Sequence, residues 1–423
     1  MRLAKIQTAP IEMQSGAQMA KEMGRKTHRS VDDGQLRIQD CRRSRAIHVG
    51  VDLTALLPEA TGVDNYLMHL VMHLSRIDQT NHYTLFVNYE DLELFRGWPP
   101  PNFTIIPCSW RPRPVRLVSQ QVGLPLAARF LGADVIHSPS FIMPLYRGKQ
   151  RHLLTIHDMT SFSLPQCHIP LRRSALYRRA ILTSIRRAHL VSVPSHFTRQ
   201  AILDFMPDIP SERIHVIPAG VGEEFHLQAP NDVQRARSRL KLNWPYILYV
   251  GTIEPRKNLQ RLVESYERLI AKGGVREHLV LAGRLGWDYK GILEQINSPA
   301  LRDRVHLPGY ISQDDLPLLY AGARLFVYPS LEEGFGFPPL EAMACGVPTI
   351  ASLSSSLAEN LREAAELVPA DDTEALTAAM ARLLQDKQVH AEYGILGLAR
   401  AAQFRWEETA RQTLDCYKAL AAA

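Results

Sequence analysis

The sequence has few cysteines, and no spacing links them into a site. Its 423 residues include five, at positions 41, 108, 167, 345 and 416, without a Cys-x-x-Cys pair. This distribution fits neither a disulfide framework nor a structural zinc site, so we expect reduced thiols.

Long apolar runs are also missing. No stretch approaches the ~18 consecutive apolar residues that a membrane-spanning helix needs. Residues 1–30 lack the apolar segment of a secretory signal. We therefore predict a cytoplasmic protein. The length suffices for two domains of about 150 to 200 residues.

Two motifs for binding nucleotides are absent. No Asp-x-Asp occurs, so the usual carboxylate cradle for a metal-bound nucleotide is missing. No G-x-G-x-x-G with a downstream acid occurs either, which argues against dinucleotide binding. We predict no metal requirement and no resident cofactor.

The net charge of +6 is concentrated at the N-terminus. Residues 1–45 contain ten basic and five acidic residues, a balance of +5, so the remaining chain is close to neutral. That argues against a nucleic-acid partner. We predict residues 1–45 to be a disordered basic leader, or an overlong start of the reading frame. Residues 94–133 and 159–203 contain no acidic residue, which predicts a basic surface on the first half.

Apolar, β-branched runs alternate with helical patterns along the chain, as expected for parallel βαβ units. We predict a first domain over residues 46–222, a linker over 223–243, a second domain over 244–404 and a C-terminal helix over 405–423. The predicted strands of the first domain are 47–53, 83–88, 103–107, 135–137, 153–156, 190–193 and 214–217. Those of the second are 246–250, 278–282, 305–307, 325–328, 349–351 and 366–368.

Polar motifs follow many of these strands. Ligands of doubly wound sheets bind beyond the carboxyl ends of the strands, so such motifs should line one edge of each sheet. Two such edges facing each other would form a cleft. In the first domain the motifs contain Gly62, His137, His157 and Asp158. In the second they contain Gly251, Thr252, Gly283, Arg284, Gly309, Tyr310 and Glu333.

The most informative segment covers residues 328–352. A strand enters a loop that contains Gly334, Phe335 and Gly336, and two prolines then open a helix. Glu333 precedes the glycines, and Glu341 is predicted in the first helical turn. Either carboxylate alone would be an ordinary solvated charge, but loop amides and a helix N-terminus beside both favour a polar or anionic ligand. The whole segment predicts a sugar-nucleotide site.

Residues 250–258 form a second strand–loop–helix segment. Asn258 is predicted to be the N-cap of a helix over 259–272. Arg256 and Lys257 just before it offer a guanidinium fork and a point charge to a diphosphate. Adjacent basic residues are more often a surface pair. Their position after a strand-end Gly-Thr favours the phosphate role.

Glu-x7-Glu within Gly-Phe-Gly-Phe-Pro-Pro-Leu-Glu-Ala-Met-Ala-Cys-Gly-Val-Pro resembles the donor-site signature of the retaining glycosyltransferases called family 4 of the GT-B fold. The resemblance extends from about residue 47 to the C-terminus. It implies two Rossmann-like, doubly wound parallel-sheet domains facing across a cleft. It also implies that the C-terminal helix crosses back to the first domain.

The resemblance assigns roles to individual residues. Arg256 and Lys257 match the pyrophosphate clamp, and His157 matches the position that contacts the transferred sugar near its reacting carbon. Asp158 would orient His157 or bind the acceptor, for which His137 is a second candidate. Gly62 resembles a glycine near the donor phosphates, although the following Asp64-Asn65 departs from the usual sequence. The remaining donor-binding candidates are Gly251, Thr252, Arg284, Gly309, Tyr310, Gly334, Phe335, Gly336 and Glu341.

These features predict a hexosyltransferase, with Glu333, Arg256, Lys257 and His157 as the catalytic candidates. The Gly-Thr-Ile-Glu-Pro-Arg-Lys-Asn and His-Asp motifs look most like mannosyltransferases of bacterial surface-polysaccharide assembly. That favours GDP-mannose as donor and a polyprenyl-diphosphate-linked sugar or a saccharide as acceptor. A UDP-sugar donor and a non-catalytic sugar-nucleotide or polysaccharide-binding protein are the alternatives.

A basic helical segment over residues 170–190 has two interpretations. It contains six arginines and an apolar face. It could be a solvated helix packed on its domain. It could also contact an anionic membrane, with residues 110–116 extending the basic surface.

Overall fold

The computed structural model describes residues 45–56, 62–111, 113–146, 148–168 and 174–423. The predicted leader therefore lies outside the described residues, apart from Arg45. So do Cys41, Thr61 and the first residues of the basic segment, including Arg172 and Arg173.

Two parallel sheets form the framework. The first consists of β1 (His48–Asp52), β2 (His82–Asn88), β3 (Phe103–Cys108), β4 (Val135–Ser138), β5 (Arg151–Thr155), β6 (Leu190–Val193) and β7 (Ile214–Val216). The second consists of β8 (Tyr246–Val250), β9 (His278–Ala282), β10 (Val305–Gly309), β11 (Leu325–Tyr328), β12 (Thr349–Ser352) and β13 (Glu366–Val368). All thirteen predicted strands are present, with ends that differ by at most two residues.

The strand order is β3-β2-β1-β4-β5-β6-β7 in the first sheet and β10-β9-β8-β11-β12-β13 in the second. Every neighbouring pair is parallel, with β1 and β2, for example, in register from His48↔His82 to Asp52↔Phe86. The order reverses between β1 and β4 and between β8 and β11. Open sheets of this kind bind ligands at such switch points. The predicted fold class is confirmed.

Helices cover the faces of both sheets, which explains why the strands are continuously apolar. The first domain contains α1 (Gly62–Ile77), α2 (Arg113–Phe130), α3 (Thr160–Ser163), α4 (Ala175–Arg187) and α5 (His196–Phe205). The second contains α7 (Leu259–Ala271), α8 (Lys290–Ile296), α9 (Leu316–Ala321), α10 (Phe337–Ala344), α11 (Ser355–Asn360), α12 (Thr373–Gln385) and α13 (Lys387–Ala401). Within the described ranges, no helix combines the length and the apolar character needed to cross a bilayer.

The stretch predicted as the linker contains a helix, α6 (Pro230–Arg239). Arg239 of this helix pairs with Asp315 beside α9. Its neighbour Arg237 donates to the carbonyl oxygens of Leu242 and Trp244 at 3.1 and 2.8 Å. Because of these contacts, most of the segment belongs structurally to the second domain.

The C-terminal helix α14 (Trp406–Ala422) packs against α1 and β5 of the first sheet. The chain thus passes between the domains twice. The two crossings touch, because Val221 N donates to Phe404 O at 2.9 Å and Val221 forms a parallel bridge with Arg405. Trp406 lies beside this junction, stacked on His69 of α1 at 5.0 Å and on Phe337 of α10 at 6.1 Å.

Candidate functional site

The candidate site lies at the switch point of the second sheet. The loop after β8 carries Arg256 and Lys257 in a short 3₁₀ turn, Pro255–Lys257. The loop after β11 carries Glu333. Because β8 and β11 are hydrogen-bonded neighbours, their following loops meet at the same edge of the sheet.

Glu333 is the centre of a buried charged cluster. Its carboxylate lies 2.6 Å from Lys257 Nζ and 2.8 Å from an Arg256 guanidinium nitrogen. Oε1 also accepts hydrogen bonds from Ser330 Oγ at 2.6 Å and Tyr328 OH at 3.1 Å. Lys257 Nζ donates to Tyr328 OH at 2.8 Å. One carboxylate therefore holds two cations in a fixed position.

The electrostatics of this cluster favour the charged forms of Glu333 and Arg256. Burial alone would raise the pKa of Glu333, but the positive charges of Arg256 and Lys257 outweigh that effect and lower the pKa to about 2. Burial and the neighbouring guanidinium lower the pKa of Lys257. Burial also acts to lower the pKa of Arg256, but the nearby carboxylates, chiefly Glu333, raise it well above its ordinary value.

Backbone contacts hold Glu333 in place. Its N–H donates to Ser355 Oγ at 2.9 Å, and its carbonyl oxygen accepts from Ser356 Oγ at 2.8 Å. Arg256 additionally donates to Glu332 O at 2.7 Å. These serines and Tyr328 were not among the predicted site residues. Their positions could have indicated them, because Tyr328 ends β11 and the serines follow the adjacent strand β12.

Asn258 does not act as predicted. It precedes α7 at the N-cap position, but its backbone is left-handed (φ 56°) and its side chain makes no capping hydrogen bond. Instead Nδ2 donates to Pro329 O at 3.1 Å and to Ala370 O at 2.8 Å. Asn258 therefore ties the Arg256–Lys257 turn to the loop that carries Glu333.

The first domain closes directly over the glutamate loop. A Cβ atom on Gly334 would lie 1.7 Å from His157 O and 3.0 Å from Asp158 Cβ. Thr198 Oγ1 donates to Gly334 O at 3.4 Å. Only glycine allows this approach, so the two halves of the predicted site are in contact.

Two carboxylates extend the contact between the domains. Glu332 accepts from Ser163 Oγ of α3 at 2.7 Å. Glu359 of α11 accepts from the backbone N–H groups of His196 and Phe197, each at 3.0 Å. Those groups are at the positive N-terminus of α5, where an anion is favourable.

His157 is a neutral hydrogen-bond donor in this setting. Its Nε2 lies 2.8 Å from Pro139 O, and because a carbonyl oxygen can only accept, Nε2 carries the proton. Burial lowers the pKa of the ring. The edge-on ring of Tyr66 lies 4.9 Å away and fixes the imidazole further.

Neither acceptor candidate points freely into the cleft. Asp158 is half-buried, and its Oδ1 accepts from Thr160 N at 3.0 Å and Thr160 Oγ1 at 2.6 Å, which supports the start of α3. His137 lies within β4 and is completely buried. Its ring nitrogens are 2.7 Å from Tyr417 OH and 2.8 Å from Thr155 Oγ1. The structure therefore places the His137 ring in the core of the first domain.

Glu341 lies one position further into the helix than predicted. Helix α10 begins at Phe337, so Glu341 falls just beyond its first turn. Its carboxylate is buried and accepts from Tyr320 OH at 2.8 Å. Burial raises the pKa of Glu341 to about 7, against an ordinary value of 4.5.

The other donor-binding candidates lie around this edge. The backbones of Gly251, Gly283 and Gly309 lie side by side. Gly283 N donates to Gly309 O at 2.8 Å, and a Cβ atom added to Gly283 would lie 2.1 Å from Gly251 O. Thr252 O accepts from Tyr249 OH at 3.1 Å, and Arg284 O accepts from Ile253 N at 2.9 Å.

The remaining candidates differ in their exposure to solvent. Tyr310 is exposed, whereas Phe335 is buried and its carbonyl oxygen accepts from Asn360 Nδ2 at 2.8 Å. Gly336 adopts φ 93° at the start of α10. Across the cleft, a Cβ on Gly62 would lie 3.4 Å from the Phe337 ring. The structure thus brings Gly62 to the same helix start.

The sequence matches two family models. The Glycosyltransferase Family 4 model covers residues 60–225, and the Glycosyl transferases group 1 model covers residues 230–396. The chain is also 34% identical over 287 residues to a protein named O-antigen chain mannosyltransferase B from Escherichia coli. That match covers 68% of this chain and 74% of the relative.

Two solved structures are similar to the whole fold. Sucrose-phosphate synthase from Thermosynechococcus elongatus matches with a TM-score of 0.73 and 24% identity, over 89% of this chain and 99% of that one. Anabaena HepE in complex with UDP-glucose matches with a TM-score of 0.70 and 19% identity, over 88% and 100%. At these identities the two structures establish the fold alone. The sequence matches and the paired parallel sheets show that the chain belongs to the glycosyltransferases of group 1 and family 4 and is a hexosyltransferase.

Proposed function

We propose that the chain is a retaining mannosyltransferase. It would transfer mannose from GDP-mannose to a polyprenyl-diphosphate-linked or saccharide acceptor in surface-polysaccharide assembly, on the cytoplasmic side of the membrane. The Escherichia coli relative, named as an O-antigen mannosyltransferase, supports the sugar and the process. The observation that carries the transfer chemistry is the pairing of Glu333 with Arg256 and Lys257 at the switch point.

The two cations suit the departing diphosphate. As the bond between sugar and phosphate breaks, negative charge develops on the leaving group and positive charge on the sugar ring. Lys257 is buried and Arg256 is partly buried, and both are preorganised by Glu333, Glu254 and Tyr328, so little reorganisation is needed when that charge appears. Fixed donors of this kind typically contribute about 10²- to 10³-fold to kcat. They make a metal ion unnecessary in this proposal.

The transferred sugar would lie between the two domains. The Gly334–His157 contact places the glutamate loop against the end of β5. Glu333 would accept hydrogen bonds from sugar hydroxyls, and the backbone amides of residues 334–336 would donate to them. The neutral imidazole of His157 would face the reacting carbon without adding positive charge beside the developing oxocarbenium ion.

A UDP-sugar is the second candidate donor. HepE, which shares the fold, has been solved with UDP-glucose, and the base-binding edge at Gly309 offers backbone groups rather than a distinctive side chain. A panel of GDP- and UDP-sugars therefore tests the donor.

The donor is tested by thermal shift and slow hydrolysis of each nucleotide sugar, with and without EDTA. GDP-mannose is expected to raise Tm and to be hydrolysed at the same rate with chelator. Both effects should be lost in Glu333→Ala/Lys257→Ala. They should be kept in Arg268→Ala/Glu374→Ala, which removes an ion pair from the surface of α7. A response to UDP-sugars alone would show that the donor is a UDP-sugar. Loss of hydrolysis in the presence of EDTA would refute the metal-free mechanism.

At pH 8, Glu341→Gln should raise stability and weaken donor binding. Because the folded-state pKa of Glu341 is about 7, above the ordinary 4.5, its contribution to stability is full below pH 4.5 and is lost as pH rises through 7. The glutamine variant avoids burying this charge, so its Tm should exceed that of the wild type at pH 8 but not at pH 5. Without an ionised acceptor for ribose hydroxyls, the Kd for the nucleotide sugar at pH 8 should rise about tenfold. Calorimetry at both pH values measures this, and an unchanged Kd would exclude the ribose role.

A further inference from the structure

Trp406 lies at the contact between the two domains. It is the first residue of α14, and its side chain is buried. The indole ring stacks on His69 of α1 at 5.0 Å and on Phe337 of α10 at 6.1 Å, with interplanar angles of 8° and 16°. Helix α1 belongs to the first domain, and α10 begins directly after the glutamate loop. One side chain therefore touches both halves of the candidate site.

Tyr66 connects Trp406 with His157. The Tyr66 ring is buried in α1 and meets the indole edge-on, with 5.6 Å between the ring centroids and an angle of 62°. The same ring is edge-on to the His157 imidazole, at 4.9 Å and 80°. Aromatic rings attract each other in such arrangements at centroid distances of about 4.5 to 7 Å. A continuous row of ring contacts therefore joins His157 to the first residue of α10.

Close backbone packing holds Trp406 in place. A Cβ atom added to Gly220 would lie 2.2 Å from Trp406 N and 2.5 Å from Trp406 Cγ. Gly220 directly precedes Val221, which bridges to Arg405 where the two crossings between the domains touch. The indole is therefore fixed by the crossing segments as well as by the rings around it.

The buried indole N–H makes no compensating hydrogen bond. Among the residues that the structure describes, Trp406 Nε1 has no hydrogen-bond partner. An unpaired buried donor is unfavourable, and a phenylalanine would fill much of the same space without one. Trp406 therefore contributes through the area and the shape of its ring.

We propose that Trp406 is a positioning residue for hexosyl transfer, which acts through Tyr66 to hold the His157 imidazole at a fixed distance from the glutamate loop. The hydrogen bond between His157 Nε2 and Pro139 O orients the imidazole within the first domain. The row of rings relates it to the second domain. The inference rests on the proposed placement of His157 beside the reacting carbon, and it gives a residue outside both nucleotide-binding loops a role in turnover.

Trp406→Leu is expected to lower kcat for hydrolysis of GDP-mannose by about 10²-fold, because displacing a catalytic group by about 1 Å has an effect of that size. KM for the donor should change by less than about threefold, since the lost contact matters mainly in the transition state. Trp406→Phe keeps an aromatic ring and should recover most of the lost kcat. Tyr66→Leu breaks the row of rings with Trp406 in place, and it should lower kcat by a similar factor.

The matched control is Trp244→Leu. Trp244 stacks on His278 and His306 at 4.2 and 4.0 Å. His278 begins β9, so this indole lies at the amino-terminal edge of the second sheet, opposite to the candidate site. Both leucine variants should lower Tm, but only Trp406→Leu should lower kcat. Equal losses of kcat in the two variants would mean that Trp406 only stabilises the fold, and the proposal would be overturned.

A double-mutant cycle with His157→Ala tests the path of the effect. If Trp406 acts by placing His157, adding Trp406→Leu to His157→Ala should lower kcat by less than about threefold further, because coupled residues are not additive. Losses that multiply in the double variant would show that Trp406 acts independently of His157, and they would contradict the proposal.

Hydrogen exchange tests the contact without any substrate. In Trp406→Leu the backbone amides of residues 153–159 and 334–340 should both exchange faster than in wild type, whereas in Trp244→Leu they should not. Unchanged exchange in both segments of Trp406→Leu would overturn the proposal. If the exchange pattern is as expected but wild type turns over no nucleotide sugar, the proposed function on which the role of His157 rests is the part that fails.

Discussion

Gly334→Ala is expected to lower kcat/KM by about 10²-fold or more. The added methyl group would lie 1.7 Å from the carbonyl oxygen of His157, so either the glutamate loop or the end of β5 must move. Displacing catalytic groups by about 1 Å can cost about 10²-fold in rate. Glu333, the residue directly before Gly334, would move together with the loop.

The control for this variant is Gly291→Ala. There the Cβ would meet only the tip of the flexible Gln260 side chain, at 2.9 Å. Steady-state kinetics of both variants, with Tm from calorimetry, separate misplacement from unfolding. Activity of Gly334→Ala within threefold of wild type would show that the closed contact is not required for turnover.

Lys257→Met should lower kcat by about 10²- to 10³-fold with a smaller effect on KM. The methionine retains the buried stem but removes the charge that lies 2.6 Å from Glu333. If Lys257 stabilises the departing diphosphate, its contribution appears mainly in the transition state, and such a loss reduces kcat. Lys257→Met should also lower Tm, because a buried carboxylate loses one of its partners.

A charge-neutral double variant separates these effects. Lys257→Met/Glu333→Gln removes one positive and one negative charge from the cluster, so most of the Tm is expected to return. The lost kcat should not return. Recovery of activity together with stability would mean that the cluster is structural, and the proposed leaving-group role would be wrong.

The sheet architecture could be predicted closely because its signal is local. Buried parallel strands are short apolar runs, and β8, β9, β11 and β13 have the predicted bounds. The polar residues after β8 and β11 could be placed together from the rule for strand ends alone. The contact of Glu333 with Arg256 and Lys257 follows from this geometry.

The errors concern tertiary contacts that are not encoded nearby. His137 looked like a strand-end histidine, but its partner Tyr417 is 280 residues away. Asn258 is a residue type that often caps helices, but its side chain donates instead to two carbonyl oxygens of loops distant in sequence. Glu341 was displaced by one position because α10 starts at Phe337, before the prolines.

Because the C-terminal helix packs against β4, the first domain cannot complete its folding until the end of the chain has been synthesised. Domains generally fold as units, with the N-terminal one first during translation. Here Tyr417 completes the surroundings of His137, and α14 covers α1 and β5. The first sheet is made within the first 216 residues, but the part of its surface that α14 covers stays exposed until residues 406–422 have been translated. The first domain of a nascent chain is therefore incomplete until the second domain has been made.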